Sequence, residues 1–250
     1  MELRDTCAIG VMAKAPRPGR AKTRLCPPLR PDQAAQLSGA FLRDITENIA
    51  LAARVAPIHG YVAYAPAGEE GAFDGHLADG TALVLADGSL PMPRGVEGFG
   101  RSLLHAVHAL FARGYGAVCL VNSDSPTLPT SLLIEAASLL LASSERVVLG
   151  PADDGGYYLI GMKQPHAHLF TDIAWSTDSV AATTLARATA RGLKVAKLPT
   201  WFDVDDMESL TRLLVEAQGH ASRLRPYAAP ATMAWLSRHL SGGNIGVAAQ

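Results

Sequence analysis

The sequence predicts an α/β fold: a mostly parallel central sheet with helices on both faces. Short apolar runs typical of buried strands alternate along the chain with longer segments of helical periodicity. Polar and glycine-rich residues directly follow several of these runs, as expected where the strands of an open α/β sheet end. A composition that is 48% hydrophobic and 18% charged can form a large core in a chain of 250 residues.

The order of the elements follows from these patterns. A buried strand is predicted over Cys7–Met12, and two prolines and a glycine exclude a helix in the loop after it. A helix over about Pro31–Arg54 comes next. The later elements are predicted as strands Ile58–Ala63 and Ala82–Ala86, helix Arg101–Arg113, strand Ala117–Val121, helix Ser131–Ala142, strands Val147–Gly150 and Tyr157–Gly161, helix Val180–Arg191, strand Leu193–Leu198 and a helix from Met207. Residues 1–218 are expected to form one domain, and residues 219–250 a helical appendage with a flexible tail.

Composition excludes several classes of function. The formal net charge is -1, and no basic block is interleaved with aromatic residues, which argues against a nucleic-acid partner. No apolar run approaches the roughly 20 residues of a membrane span, and the N-terminal residues do not resemble a secretory signal. Cys7, Cys26 and Cys119 are odd in number and widely spaced, so we expect core thiols in a reducing compartment and a cytoplasmic protein.

The loop after the first strand is rich in cations. Gly19 in this loop allows close approach of a ligand to the backbone, and a helix N-terminus follows. Neither a Walker motif nor a dinucleotide fingerprint is present. The cations are Lys14, Arg17, Arg20, Lys22 and Arg24. We expect Lys14, Lys22 and Arg24 to bind the phosphates of a nucleotide, and the other two to be solvated.

The central predicted strand ends in a polar cluster. Val121 is followed by Asn122, Ser123, Asp124 and Ser125, and prolines forbid extension of the strand. A carboxylate at this edge can hold a hard cation such as Mg²⁺. Asp124 could equally cap the helix that follows, so these residues alone leave both interpretations open.

Acidic residues also follow other predicted strands. They are Asp153, Asp154, Asp203, Asp205 and Asp206. Strand ends converge on one edge of a doubly wound sheet, so these acids and Asp124 could share one divalent ion. A plain Asp-Asp-Gly-Gly turn and a helix cap at Asp206 are the alternatives. Three acidic strand ends opposite a basic loop favour the shared site.

Other candidate residues carry weaker signals. His166 and His168 lack partners at metal-binding spacing, which favours a surface role. Trp175 and Tyr157 are interpreted as packing residues, whereas Tyr158 could touch a ligand next to the glycine turn.

Five ordered motifs resemble a known family. They are Lys14-x-Pro16-x-Pro18-Gly19-x-x-Lys22-Thr23-Arg24-Leu25, Ser123-Asp124-Ser125-Pro126-x-Leu128, Gly150-Pro151-Ala152-x-Asp154-Gly155-Gly156-Tyr157-Tyr158-Leu159-Ile160-Gly161, Trp175-Ser176-Thr177 and Asp203-Val204-Asp205. Together they resemble the DUF2064 family, whose members are often labelled candidate glycosyltransferases and include proteins tied to arsenosugar biosynthesis. The resemblance covers roughly residues 7–215 and implies a GT-A fold, the architecture of nucleotide-diphospho-sugar transferases.

The resemblance also implies roles for individual residues. It implies a metal, Mg²⁺ or Mn²⁺, held by Asp124 and Asp205, with Lys22 and Arg24 on the donor phosphates. Asp124, Asp154 and Lys22 would then be the catalytic groups. Lys14, Gly19 and Ser123 would complete the nucleotide site, and the acceptor would meet Asp153, Asp154, Gly155, Gly156 and Tyr158. Gly98-Phe99-Gly100 departs from the Gly-Asp-Leu-Gly common in the family.

The predicted function is therefore a metal-dependent transferase with a nucleotide-activated donor. Glycosyl transfer from a nucleotide-diphospho-sugar to a small-molecule acceptor is the first hypothesis. Nucleotidyl transfer from an NTP to a phosphorylated small molecule uses the same loop and acids and is the second. A non-catalytic nucleotide-sugar-binding protein is the third. The sequence predicts neither the base and sugar of the donor nor the oligomeric state.

Overall fold

A computed structural model describes residues 2–142, 145–217 and 224–240. Its seven strands are β1 (Cys7–Lys14), β2 (Ile58–Ala65), β3 (Ala82–Leu85), β4 (Ala117–Asn122), β5 (Arg146–Pro151), β6 (Tyr157–Met162) and β7 (Lys194–Lys197). Its six α-helices are α1 (Pro31–Ala52), α2 (Phe99–Phe111), α3 (Thr130–Leu141), α4 (Val180–Ala190), α5 (Met207–Ala217) and α6 (Pro230–Leu240). The predicted elements therefore exist, with ends that differ by a few residues.

All seven strands form one sheet, in the order β3-β2-β1-β4-β6-β5-β7. The central pair, β1 and β4, is parallel, with Cys7 opposite Ala117 and Met12 opposite Asn122. Only β6 runs antiparallel to its neighbours β4 and β5. The predicted mostly parallel α/β sheet is confirmed. The ends of β1 and β4 lie side by side, which places the basic loop beside the polar cluster of Asp124.

Two hydrophobic cores lie on opposite faces of the sheet. Helices α1, α3, α5 and α6 contribute to one core, in which Phe41 and Leu37 are fully buried. Helices α2 and α4 pack on the other face, where Leu104 and Val107 are fully buried. A strand covered on both faces must be apolar throughout, which explains why β1 and β4 have no alternating pattern.

Helix α6 packs on the same core, although residues 219–250 are predicted as an appendage. Trp235 and Leu236 are 4% and 1% exposed and belong to the core that contains α1. Asp44 on α1 is buried and accepts hydrogen bonds from the backbone N–H groups of Ala231 and Thr232, at 2.9 and 2.7 Å. A side chain distant in sequence thus caps the first turn of α6. The expected tail, residues 241–250, lies outside the described residues. No helix in the described part of the chain is both long and apolar enough to cross a lipid bilayer.

Candidate active site

A cleft of about 470 Å³ opens at the carboxyl ends of β1, β2 and β4. This edge of the sheet is where open α/β folds bind their ligands. The cleft is lined both by residues of the basic loop and by the acidic residues that follow the strands. Among the predicted site residues, the cleft is lined by Lys14, Lys22, Arg24, Ser123, Asp124, Asp154, Gly156, Tyr158 and Asp205.

Lys22 lies between two carboxylates at the floor of this cleft. Its side chain is only 5% exposed, and its Nζ is 2.8 Å from Oδ1 of Asp124 and 3.1 Å from Oδ1 of Asp205. It also donates a hydrogen bond to the backbone oxygen of Val204. Burial by itself would lower the pKa of Lys22, but the charges of Asp124 and Asp205 raise that pKa above its ordinary value. A fixed positive charge therefore links the end of β4 to the acidic segment around Asp205.

Backbone hydrogen bonds hold that segment against the end of β4. The backbone N–H of Val204 donates to the carbonyl of Asp124 at 2.8 Å, and the buried Ser125 hydroxyl donates to the carbonyl of Phe202, also at 2.8 Å. Ser123 donates to Oδ1 of Asp124. These bonds fix residues 202–205 beside the polar cluster, so acids about 80 positions apart in sequence share one site.

Asp203 is the most strongly perturbed acid of the cleft. Burial, and after it the neighbouring carboxylates of Asp205, Asp154 and Asp124, together raise its pKa to about 7. Four carboxylates therefore converge here, and Lys22 neutralises only part of their charge. A local cluster of carboxylates is suited to a cation.

We expect Asp203→Asn to stabilise the protein at high pH. The pKa of Asp203 is higher in the folded than in the unfolded state, so its contribution to stability is fully present below about pH 4 and is lost as the pH rises through about 7. Three pKa units correspond to about 4 kcal/mol, which we reduce to about 2 kcal/mol because solvent partly reaches the side chain. Urea unfolding at pH 5 and pH 8 measures this difference.

The matched control is Asp206→Asn. Hydrogen bonds from Ser209 lower the pKa of Asp206, so its contribution is present above pH 4 and lost at lower pH. Between pH 5 and pH 8 the stability difference from the parent should therefore change for Asp203→Asn and stay constant for Asp206→Asn. An Asp203→Asn protein with the same stability difference from the parent at pH 5 and pH 8 would show that Asp203 is ionised normally.

The basic loop presents three further cations to the cleft: Lys14, Arg20 and Arg24. Arg24 also lies 3.6 Å from Asp205. The expectation of a solvated Arg17 fits its exposed ion pair with Glu69, whereas Arg20 lines the cleft. Gly19 has a φ of +73° and open space where a side chain would be, so a ligand could approach its backbone.

The glycine turn after β5 also contributes to the cleft. Asp154 lines the cleft, and its Oδ1 accepts a hydrogen bond from the backbone N–H of Gly156 at 2.8 Å. Gly155 accepts from the N–H of Ala181, which joins the turn to α4. Two of the residues predicted for the acceptor have their polar groups bound to other parts of the protein, although Tyr158 also lines the cleft. Asp153 is ion-paired with Arg212 outside the cleft lining, and the Tyr158 hydroxyl is bonded to the carbonyl of Pro199.

An aromatic wall, Phe99 and Trp175, borders the cleft and is absent from the sequence-based site. Phe99 is 47% exposed, and the two rings meet edge to face with centroids 5.6 Å apart. A Cβ added at Gly98 or Gly100 would come within 3.2 or 3.0 Å of the Trp175 ring. The two glycines around Phe99 make room for the indole and are the signal that could have revealed this wall. Tyr157, also interpreted as packing, lines the cleft as well.

The acids of the cleft fit a divalent cation. Within residues 2–142, 145–217 and 224–240, no three His, Cys, Asp or Glu side chains form a complete metal site. Mg²⁺, however, is usually held by one or two carboxylates together with water and substrate phosphates. Asp124 and Asp205 each direct one oxygen at the same cation, the ammonium of Lys22. The two carboxylates are therefore already arranged to share a positive ion.

A family model described as an uncharacterized protein conserved in bacteria, DUF2064, matches residues 48–177. This chain belongs to the DUF2064 family. The match spans β2 to the turn before α4 and includes the end of β4, the glycine turn and Trp175. No protein of curated function matches the sequence.

Solved structures share this fold. A candidate nucleotide-diphospho-sugar transferase from Desulfovibrio desulfuricans G20 superposes with a TM-score of 0.74 at 27% identity, and covers 95% of this DUF2064 chain and 96% of its own. A CMP:2-keto-3-deoxy-manno-octonic acid synthetase complexed with CTP has a TM-score of 0.53 at 12% identity over 86% of this chain and 100% of its own. A cytidylyltransferase from Leptospira borgpetersenii serovar Hardjo-bovis has a TM-score of 0.51 at 10% identity over 98% of each chain. The predicted nucleotide-diphospho-sugar transferase-like fold is thereby confirmed.

Proposed function

We propose that this protein is a metal-dependent glycosyltransferase that uses a nucleotide-diphospho-sugar donor and a small-molecule acceptor. The observation that carries the proposal is the cation position shared by Asp124 and Asp205 at the floor of a cleft bordered by basic residues. The similarity to the candidate nucleotide-diphospho-sugar transferase, which extends over nearly the whole of both chains, supports it.

In the proposed site, Asp124 and Asp205 hold Mg²⁺ or Mn²⁺. The bound ion supplies stabilisation of the negative charge that develops on the departing diphosphate. Lys22 moves from between the carboxylates to the donor phosphates, which the length of its side chain allows. Lys14 and Arg24, which also line the cleft, bind the same phosphates. Ser123 orients Asp124 through its hydrogen bond.

Asp154 takes the acceptor side of the cleft. In the proposed reaction, an acceptor hydroxyl oxygen forms a bond to the anomeric carbon of the donor sugar. The bond between that carbon and the diphosphate oxygen breaks, and the nucleoside diphosphate leaves with the electron pair. Asp154 receives the proton of the hydroxyl, and the backbone N–H of Gly156 holds the carboxylate in place. The wall of Phe99 and Trp175 also lines the cleft.

Nucleotidyl transfer is the second candidate, favoured by the fold shared with a synthetase complexed with CTP and with a cytidylyltransferase. In that reaction a phosphorylated acceptor attacks the α-phosphate of an NTP, and pyrophosphate leaves. The same cations and carboxylates would serve it. Either reaction fits the cytoplasmic location that we expect, which the free thiols Cys7, Cys26 and Cys119 support.

Thermal shift against NTPs, nucleoside diphosphates and nucleotide-diphospho-sugars, each with and without Mn²⁺, tests the proposal. A ligand that binds the native state raises the melting temperature with its concentration. Metal-dependent preference for one nucleotide-diphospho-sugar would support glycosyl transfer and identify the donor. Preference for an NTP would favour nucleotidyl transfer, and binding without any turnover would leave a non-catalytic binding protein. No response to any nucleotide would overturn all three.

Lys22→Met should make stability depend on the metal. Removal of the ammonium leaves Asp124 and Asp205 facing each other without a cation, which we expect to cost about 2 kcal/mol because the pair is partly buried. Mn²⁺ should restore this stability and bind more tightly than to the parent, since no ammonium competes for the carboxylates. A titration of melting temperature with Mn²⁺ measures both effects. Lys14→Met is the control. Equal Mn²⁺ responses in parent and Lys22→Met would contradict the shared position.

A further inference from the structure

A second cavity, of about 510 Å³, lies at the C-terminal end of α4, separate in its lining residues from the cleft. Three arginines from two segments of the chain line it. Arg187 and Arg191 come from α4 and the residue after it, and Arg94 comes from the loop before α2. Its lining residues are Pro93, Arg94, Ala167, His168, Thr171, Arg187, Ala190 and Arg191. We call it the arginine pocket.

The positive charge of the arginine pocket is largely uncompensated. Arg187 forms an ion pair with Asp172 at 3.4 Å, and the carboxylate of Asp172 is mostly exposed. In the described ranges of the chain, neither Arg94 nor Arg191 has an ion-pair partner. Arg187 and Arg191 are four residues apart on one helix face, where like charges repel. The C-terminal dipole of α4 explains a cation at Arg191. It does not explain Arg94, which adds a third charge from a different segment.

One residue that lines this pocket, His168, also has a buried nitrogen without a partner. The Nε2 atom of His168 is buried and has no hydrogen-bond partner in the described part of the protein. The ring of His168 packs against His166, whose Nε2 lies 2.7 Å from Glu145. Burial, His166 and Arg191 lower the pKa of His168, so the ring is neutral near pH 7. A neutral imidazole protonated on Nε2 donates one hydrogen bond. An anion in the pocket would accept it.

The walls of the arginine pocket are held in place before any ligand binds. The backbone N–H of Asp172 donates to the carbonyl of Gly95 at 2.8 Å, and Val96 forms a β-bridge with Thr171. A Cβ on Gly95 would approach the Thr171 methyl to 2.7 Å, so the two segments are in close contact. This contact fixes Arg94 opposite α4. A pre-formed concave site of this volume suits a small ligand.

We propose that the arginine pocket is a binding site for a phosphate monoester of a small molecule, held by Arg94, Arg187 and Arg191. Guanidinium groups bind phosphate oxygens through paired hydrogen bonds, and His168 adds one donor. The proposal does not depend on the function assigned to the cleft.

Calorimetric titration of the full chain with inorganic phosphate and glucose 6-phosphate, without divalent metal, tests this site. The titrations use a Lys14→Ala/Arg24→Ala background, which removes two cations of the cleft. We expect saturable binding of both probes and none of glucose. Adding Arg94→Ala and Arg191→Ala should weaken binding at least tenfold, whereas Arg54→Ala, an exposed arginine after α1 outside both cavities, should leave it unchanged.

Three results would overturn the proposal. The first is the absence of saturable phosphate binding in the background protein. The second is binding that survives removal of Arg94 and Arg191, with an unchanged melting temperature showing that the variant is folded. The third is citrate binding at least tenfold tighter than glucose 6-phosphate, which would assign the pocket to carboxylates. Arg191→Lys should retain more binding than Arg191→Ala, because it keeps the charge without the planar fork.

Discussion

Asp124→Asn should weaken Mn²⁺-dependent nucleotide binding by at least about 100-fold. Asp124 accepts from Lys22 at 2.8 Å, and its backbone carbonyl holds the segment that carries Asp205. The substitution keeps the shape of the side chain and this backbone bond but removes one of two negative charges from the proposed metal site. Lys22 keeps Asp205 and the carbonyl of Val204 as partners, so the protein should still fold.

The matched control for this prediction is Asp153→Asn. Asp153, like Asp124, is an aspartate that follows a strand. It is exposed, pairs with Arg212 and does not line the cleft. Calorimetric titration with a nucleoside diphosphate in the presence and absence of Mn²⁺ compares the two variants with the parent. If Asp124→Asn and Asp153→Asn retain the same Mn²⁺-dependent affinity, Asp124 does not hold the ion.

Much of the fold can be predicted because its signals are local. A fully apolar run such as β4, ended by prolines, indicates a strand buried on both faces, whichever other strands pair with it. The direction of a strand has no such signal. The sequence of β6 resembles that of the parallel strands β1 and β4, and only the short glycine turn after β5 makes β6 antiparallel to its neighbours. The position of α6 depends on Asp44, which is about 190 residues away in sequence. Nothing in the sequence around Asp44 distinguishes it from other polar residues of α1.

In the candidate site, too, some residues can be predicted from local sequence and others depend on tertiary structure. Asp124, Asp154 and Asp205 can be identified because each follows a strand, and sheet topology brings strand ends together. The placement of Lys22 between two of them could not be identified, because it depends on a left-handed residue conformation (φ +51°) and on the path of residues 202–205. The position of Phe99 and Trp175 at the cleft could not be predicted for a different reason. Aromatic residues usually pack in cores, and their exposure at a cleft depends on tertiary structure.

Gly155→Ala should destabilise the protein by about 3 kcal/mol or more and disturb the Asp154 side of the cleft. Gly155 has a φ of +87°, which disfavours any L side chain, and an added Cβ would lie only 2.1 Å from the backbone oxygen of Asp178. Backbone atoms cannot rotate away, so the turn must move from the start of α4. That shift would break the bond from Ala181 to Gly155 and displace Asp154.

Gly192→Ala separates the two causes of this effect. Gly192 also has a positive φ, +68°, but open space surrounds the position of its Cβ, so alanine there should cost only about 1 kcal/mol. Urea unfolding of both variants measures the difference of about 2 kcal/mol that we assign to the contact with Asp178. Because Gly192 lies outside the cleft lining, its variant should keep full nucleotide binding, whereas Gly155→Ala should lose part of it even at temperatures where it is folded. Equal losses of stability in the two variants would show that backbone conformation alone, and not the packing of the turn against α4, requires glycine at position 155.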